Sequence, residues 1–330
     1  MLQLVRWGLA SYAMLGAIFG AAFSVQAQNY PDRPIRLIVA FVPGGATDTL
    51  ARQLSNDLGD ALGQPIVIEN KPGANGYIAW NFVASSDPDG YTLLLAENAL
   101  GISQALYKKT QSTFDPVKQY DAIAGLASSP SVLVVSNNVP VNNVAELVAL
   151  AKSTPQKMNF ASAGIGSVAH LSFEVFRVGA GFDAVHVPYK GGGQAINDVI
   201  AGHVPMAMTS IQVARGLVEG GRIKGLAVTS KKRAAVLPNV PTLPEAGVKT
   251  DDVALGFWFG IFGPAGIPEP VKAKLDKAVQ TVLNNPAVRE RLAKLAIEPE
   301  YLPAPALKTK LQNEIVNWTK FIDTHHIKAE

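Results

Sequence analysis

Few side chains in this sequence stand where their types and spacing could do chemistry. Ser167 and His170 lie three residues apart at the start of a helical pattern. On one helix such a pair can touch, as a nucleophile and its base would. Ser167 at that place serves equally well as an N-cap, its hydroxyl accepting a backbone N–H. Five histidines are scattered along the chain, and none pairs with a second ligand at metal spacing. The sequence holds no Gly-x-Ser-x-Gly and no His-Glu-x-x-His. Lys190-Gly191-Gly192-Gly193 lacks the Gly-Lys-Ser/Thr end of a phosphate loop. There is no cysteine, so disulfides, thiol nucleophiles and thiolate-bound metals are excluded. Neither a cofactor nor a metal is expected.

What remains is the chemistry of backbone N–H groups. From Leu37 to Val42 the chain is apolar, the pattern of a strand buried on both faces. Pro43-Gly44-Gly45 then turns it, and Leu50, Ala51, Leu54, Leu58 and Leu62 follow at helical spacing. A buried strand thus feeds a glycine turn that opens a helix. The construction recurs after residues 66–69 with Gly73 and Gly76, after 158–162 with Gly164 and Gly166, and after 184–188 with Gly191. Each turn leaves unpaired N–H groups and the positive end of a helix dipole at the carboxyl edge of a sheet. That is a seat for a small anion. A tight connection alone would also use these glycines, whether or not anything binds.

The elements that must position these turns follow from the order of the chain. Its 330 residues are enough for two lobes. A net charge of only +3 argues against a nucleic-acid partner. Residues 1–27 read as a signal peptide, with Arg6, an uncharged apolar run over 7–23 and Val25-Gln26-Ala27 before the cut. Cleavage after Ala27 predicts an exported, periplasmic protein. The alternative, an uncleaved anchor, has an apolar run at the short end of the ~17–25 residues that span a bilayer. Residues 121–137 are extended with no helix between their strands, and can cross from one lobe to the other. Strands follow at 204–209 and 223–229, then a proline-rich connection at 238–247. The stretch 254–263, with Phe257, Trp258, Phe259 and Phe262, returns as a core or crossing strand. Helices close the chain at 269–284, 287–295 and 304–325. The reading is an α/β protein of two parallel sheets, with lobe 1 from 28–125 and 233–330 and lobe 2 from 126–232. Facing each other, the sheets would bring four glycine turns to one cleft.

Several motifs carry a resemblance. Tyr30-Pro31-x-Arg33-Pro34-Ile35-Arg36-Leu37-Ile38-Val39 precedes Pro43-Gly44-Gly45-x-x-Asp48. Glu69-Asn70-Lys71-Pro72-Gly73-Ala74, Asp87-Pro88-Asp89-Gly90-Tyr91-Thr92 and Leu106-Tyr107-Lys108-Lys109 follow. Ala161-Ser162-Ala163-Gly164 with Gly166-Ser167 and His170-Leu171, then Val187-Pro188-Tyr189-Lys190-Gly191 and Leu237-Pro238-Asn239-Val240-Pro241-Thr242, complete the set. In this order they resemble the Bug-type extracytoplasmic receptors of tripartite tricarboxylate transporters. The resemblance implies a type II periplasmic-binding fold whose two lobes, joined by crossing hinge strands, close on a ligand. It implies an organic acid or related small molecule held mainly by backbone N–H groups. Mapped here, those lie at Gly44, Gly45, Ala46, Thr47, Asp48, Gly73 and Ala74. From the second lobe come Ala163, Gly164, Gly166, Ser167, His170 and Tyr189. The implied partners are membrane permease subunits, and the receptor is expected to be a monomer.

The sequence departs from that family at two places. Thr209 stands where an aspartate is usual, and Glu97-Asn98 where a Thr- or Ser-rich loop is usual. Glu97 facing the cleft would repel a second ligand carboxylate and favour an amine, amide or hydroxyl; alternatively it turns to solvent. Asp48 either caps its own helix or accepts a donor from the ligand. The leading reading is a transport receptor that binds without chemistry. An exported ligand sensor and an exported hydrolase using Ser167 and His170 are the alternatives.

Overall fold

A computed structural model describes residues 30–108, 114–154, 156–250, 253 and 255–328. The expected signal peptide and its cleavage after Ala27 lie outside the described residues, as do Lys109 and Ala254. The chain enters β1 (Ile35–Val39), α1 (Ala46–Leu62), β2 (Ile66–Asn70), a 3-10 turn (Ala74–Gly76), α2 (Tyr77–Ala84), β3 (Thr92–Glu97) and α3 (Ala99–Tyr107). After the short α4 (Pro116–Gln119) come β4 (Tyr120–Ser129), β5 (Ser131–Ser136), α5 (Val144–Ser153), β6 (Met158–Ser162) and α6 (Val168–Ala180). Next are β7 (Ala184–Pro188), α7 (Gly192–Ala201), β8 (Met206–Ser210), α8 (Ile211–Glu219) and β9 (Ile223–Val228). The chain ends with β10 (Phe257–Pro264), α9 (Glu269–Asn284), α10 (Pro286–Ala293), β11 (Glu298–Pro303) and α11 (Ala304–His325).

These strands form two sheets, ordered β11-β4-β10-β3-β1-β2 and β7-β6-β8-β5-β9. The expectation of wholly parallel sheets is corrected. β1 runs parallel to β2 and β3, and β6 to β7 and β8. By contrast β10 is antiparallel to β3 and β4, β11 to β4, and β5 to both β8 and β9. Parallel return needs a crossover connection, and β4 passes into β5 through Pro130 alone. The chain changes sheets at that proline, so β4 belongs to the first sheet as far as Ser129 rather than ending at 125. The expected return at 233 also comes too early, because Leu237, Val240, Leu243 and Val248 pack into the second sheet's cores.

Each sheet is covered on both faces. In the first, α1, α9 and α10 bury Leu50, Leu54, Leu58, Leu275, Val279 and Leu292 against Leu37, Leu93 and Leu95. Fully burying one such leucine is worth ~1.5–3 kcal/mol. Gly63, left-handed at φ 79°, ends α1 by donating to the Gly59 carbonyl. On the opposite face Trp80, Leu100, Leu311 and Trp318 of α2, α3 and α11 pack on Ile38 and Leu94. Helix α6 joins the two halves. It turns Val168, Leu171 and Val175 to that core, and Phe173 and Phe176 to the second sheet.

Besides the short α4 and the 3-10 turn, three further elements lack a clear sequence signal. Helix α3 is buried almost all round, so it shows no amphipathic stripe. Strand β11 carries Pro299 and Pro303, which the sheet tolerates because the strand is an edge. Helix α8 is short and contains Gly216.

Candidate functional site

The parallel strands aim their carboxyl ends at one another across the gap between the sheets. Gly191, after β7, approaches Val42, after β1: a Cβ on Gly191 would stand 3.0 Å from Val42 Cγ2. Gly166, after β6, faces the loops after β2 and β3. A Cβ there would stand 2.9 Å from Asn75 Nδ2, 3.3 Å from Leu106 Cδ2 and 3.7 Å from Ser103 Oγ. The candidate cleft is thus where the first glycine turn meets the fourth and the second meets the third.

Three helices that open onto this cleft begin at glycine without a side-chain cap. They are α1 after Gly45, α2 after Gly76 and α7 after Gly191. Elsewhere α4, α5 and α10 are capped by Asp115, Asn143 and Asn285, which accept their first-turn N–H groups, whereas α8, α9 and α11 also start without a side-chain cap. The starts of α1 and α7 leave donors and positive dipole ends for a guest, each worth ~0.3–1 kcal/mol toward an exposed anion. At α2 the preceding 3-10 turn already accepts the N–H groups of Gly76 and Tyr77. Gly44 holds φ 86°, a left-handed value that glycine adopts freely. Gly44, Gly73 and Ala74 are exposed, Gly45, Ala163 and Gly164 are half-buried, and Ala46 is buried at the first turn of α1. Ala74 and Asn75 are left-handed without being glycine, at φ 46° and 51°. Such strain costs ~1–3 kcal/mol per residue and concentrates at binding sites. Here Asn75 Nδ2 donates to Ser103 Oγ at 3.2 Å and holds the loop.

Asp48 serves the loop rather than a guest. Its two oxygens accept from Gly44 N, Arg52 and Asn70 Nδ2 at 2.9–3.0 Å. Burial works to raise its pKa, but the Arg52, Gly44 and Asn70 hydrogen bonds outweigh it and hold the carboxyl below the usual range. Glu97 is different. It is 6% exposed, which corrects the expectation that it might turn to solvent. It ends β3 under the first turn of α1, where Thr47 Oγ1 donates to Oε2. Burial pushes its pKa up to about 7 against the opposing effect of the Thr47 bond. Asn98 does not join the cleft set. Its Nδ2 donates to the Gly256 carbonyl at 2.8 Å, tying α3 to the crossing strand.

In the second lobe Ser167 is an N-cap: its Oγ accepts the backbone N–H of His170 at 3.2 Å. His170 Nδ1 accepts from Gly166 N at 3.2 Å, which fixes its proton on Nε2. Its ring stacks on His186, centroids 3.9 Å apart. Burial, then His186 and Arg177, hold His170 well below the usual imidazole range. Among the described residues no hydrogen bond joins the Ser167 hydroxyl to an imidazole, so the pairing a hydrolase would need is not formed. Tyr189 donates to Asp198 Oδ2 at 2.6 Å, and burial followed by Asp198 pushes its pKa up to about 12. Buried Thr209 turns its hydroxyl to the start of α7, 3.7 Å from where a Gly192 Cβ would stand.

The sequence reading missed Val42 and Asn75 as cleft residues. Asn75 had a signal, since it stands between two glycines of a loop already singled out. Its Oδ1 is buried with no hydrogen-bond partner. A buried polar atom left unpaired costs ~1–3 kcal/mol, and this one stands where the two lobes meet.

Two α/β lobes, crossing strands and a cleft lined by uncapped helix starts define a two-lobe solute-binding protein. The model of the tripartite tricarboxylate transporter family receptor matches residues 50–327, and the chain belongs to that family. It is similar to the solved periplasmic binding protein BugD, at 32% identity and TM-score 0.83 over 91% of this chain and 99% of that one. Rpa4515 of R. palustris, solved with adipate, is 31% identical with TM-score 0.84, over 91% of this chain and 99% of that one. MatC of Rhodopseudomonas palustris, solved with bound malate, is 32% identical with TM-score 0.80, over 89% and 100%.

Proposed function

We propose that this protein is a periplasmic receptor that captures a small carboxylate and presents it to the membrane subunits of a tripartite transporter. The observation that carries this is the pair of uncapped helix starts at Gly45 and Gly191, one from each lobe. A carboxylate offers several acceptor sites in a small volume, which suits a cluster of backbone donors. Related receptors solved with adipate and malate support the same chemistry. Gly45, Ala46 and Thr47 with Gly73 and Ala74 form the first-lobe grip and Ala163 belongs to the second, while Gly44, Gly164, Gly166 and Ser167 hold the loops in shape, their N–H groups going to Asp48, Ser162, His170 and the Gly164 carbonyl. Tyr189, His170 and Thr209 shape the far wall. Binding involves no bond-making. A guest that touches both lobes favours the closed state by its difference in affinity for closed and open forms. The receptor acts as a monomer, and its closed form is what the permease subunits recognise.

The test is a thermal-shift screen against mono-, di- and tricarboxylates, amino acids and aromatic acids or amides. A ligand at about 100 times its Kd adds ~2.7 kcal/mol to stability. Shifts with cations or sugars and none with any acid would overturn the carboxylate reading.

A further inference from the structure

We propose that Glu97 sets the specificity of the cleft, selecting ligands that carry one carboxylate and, at the other end, a hydrogen-bond donor such as an amide, amine or hydroxyl. Dicarboxylates of the same length are disfavoured. The inference rests on the carboxylate reading above and narrows it to a substrate class.

Glu97 and Asp48 are both buried acids at the first turn of α1, yet their surroundings are opposite. Asp48 accepts from Arg52, Gly44 and Asn70, so its charge is fully compensated. Among the described residues Glu97 accepts from the Thr47 hydroxyl alone. Its cross-strand partner on β10 is Phe259, which offers an apolar ring. Nearby cations of this lobe are engaged elsewhere: Arg52 of α1 with Asp48, Arg36 of β1 and Lys71 with Glu69. Among the described residues no cation forms an ion pair with Glu97. A desolvated carboxyl with one neutral partner is under-compensated. A ligand donor supplies what is lacking. A second ligand carboxylate instead adds a like charge, and binds only if a proton is taken up as well. Burial, which pushes the Glu97 pKa up to about 7, has the same origin.

The experiment is calorimetric titration at pH 8, where Glu97 is mainly ionised. Succinate, glutarate and adipate are each compared with their own monoamide and diamide, on wild type and Glu97→Gln. Wild type is expected to bind at least one monoamide tenfold or more tighter than the matching dicarboxylate. Glu97→Gln brings the pair within about threefold, through a gain on the dicarboxylate side. A dicarboxylate bound equally well by wild type and Glu97→Gln overturns the assignment, as does failure of all three monoamides to bind wild type. A diamide binding as tightly as the monoamide overturns the carboxylate reading itself, so the two failures are distinct. Thr47→Val removes the one partner that Glu97 has among the described residues and keeps its charge. In that variant the monoamide preference persists or widens, and its loss also overturns the assignment, even if Glu97→Gln does not fold.

Discussion

The imidazole of His170 lies flat on that of His186, with ring centroids 3.9 Å apart and planes 13° apart. His186 Nε2 is 2.6 Å from Ser162 Oγ, and Phe160 stacks on the same ring. Both imidazoles are held neutral next to the glycine turn at Gly164 and Gly166. Two stacked cations in a desolvated site would repel, and burial lowers the His186 pKa to about 4.

The pair makes stability sensitive to acid. Unfolded histidines take up protons near pH 6.5, whereas folded His186 resists until about pH 4. The stabilisation is complete above pH 6.5 and is lost as pH falls from 6.5 toward 4. His186→Phe keeps a ring in the stack and removes the titration, at ~1 kcal/mol for the lost Ser162 bond. Urea denaturation at pH 7 and pH 5 should show the variant closing on wild type by ~1–2 kcal/mol as pH falls. A gap unchanged by pH would count against the neutral stack.

Glu314 gives the opposite slope. It is buried on α11 and accepts from the indole N–H groups of Trp258 and Trp318, at 2.5 and 3.4 Å. Burial pushes its pKa up to about 8 against those bonds. A carboxyl with a raised folded pKa imposes no penalty below its unfolded value near 4.5, and an increasing one as pH rises to 8. Glu314→Gln cannot ionise. Its stability relative to wild type should therefore improve by ~2 kcal/mol or more between pH 5 and pH 8, read by chemical denaturation at both.

Closure can be tested at Gly191. Its φ of 169° is extended and open to any residue, so a side chain there adds bulk without backbone strain. A Cβ would meet Val42 across the cleft at 3.0 Å. Gly191→Val should weaken ligand binding tenfold or more while the unliganded protein keeps its stability to within ~1 kcal/mol. Adding Val42→Ala should restore part of the affinity. Unchanged affinity in the single variant would show that the lobes bind without this contact.

Gly76→Ala tests the second turn differently. Gly76 holds φ 102°, and a Cβ would lie 2.6 Å from the Trp80 ring, which is itself buried against Phe114. The ring cannot move aside cheaply. The variant should lose ~2–4 kcal/mol from strain and misfit combined, seen as a lower denaturation midpoint. Gly193→Ala, with nothing within 4 Å, should leave it nearly unchanged.

By itself the sequence determined the repeated strand, glycine turn and helix, because that unit is written in neighbouring residues. Apolar runs, helical spacing and glycine turns are local properties, and the turns at Gly44, Gly73, Gly164 and Gly191 were legible for that reason. Where the turns meet was legible only as an expectation of facing sheets. Tertiary structure decided which side chains meet across long separations. It put Glu97 under Thr47, 50 residues away, and turned Asn98 to Gly256 instead of the cleft. It gave Ser167 to the backbone of its own helix, and stacked His170 on a histidine of the next strand. It also set β5, β10 and β11 antiparallel, since strand direction follows from how the chain crosses between lobes rather than from the residues of each strand. Local spacing thus supplies the backbone donors, whereas the polarity of the cleft floor depends on burial and distant partners, which no local pattern encodes.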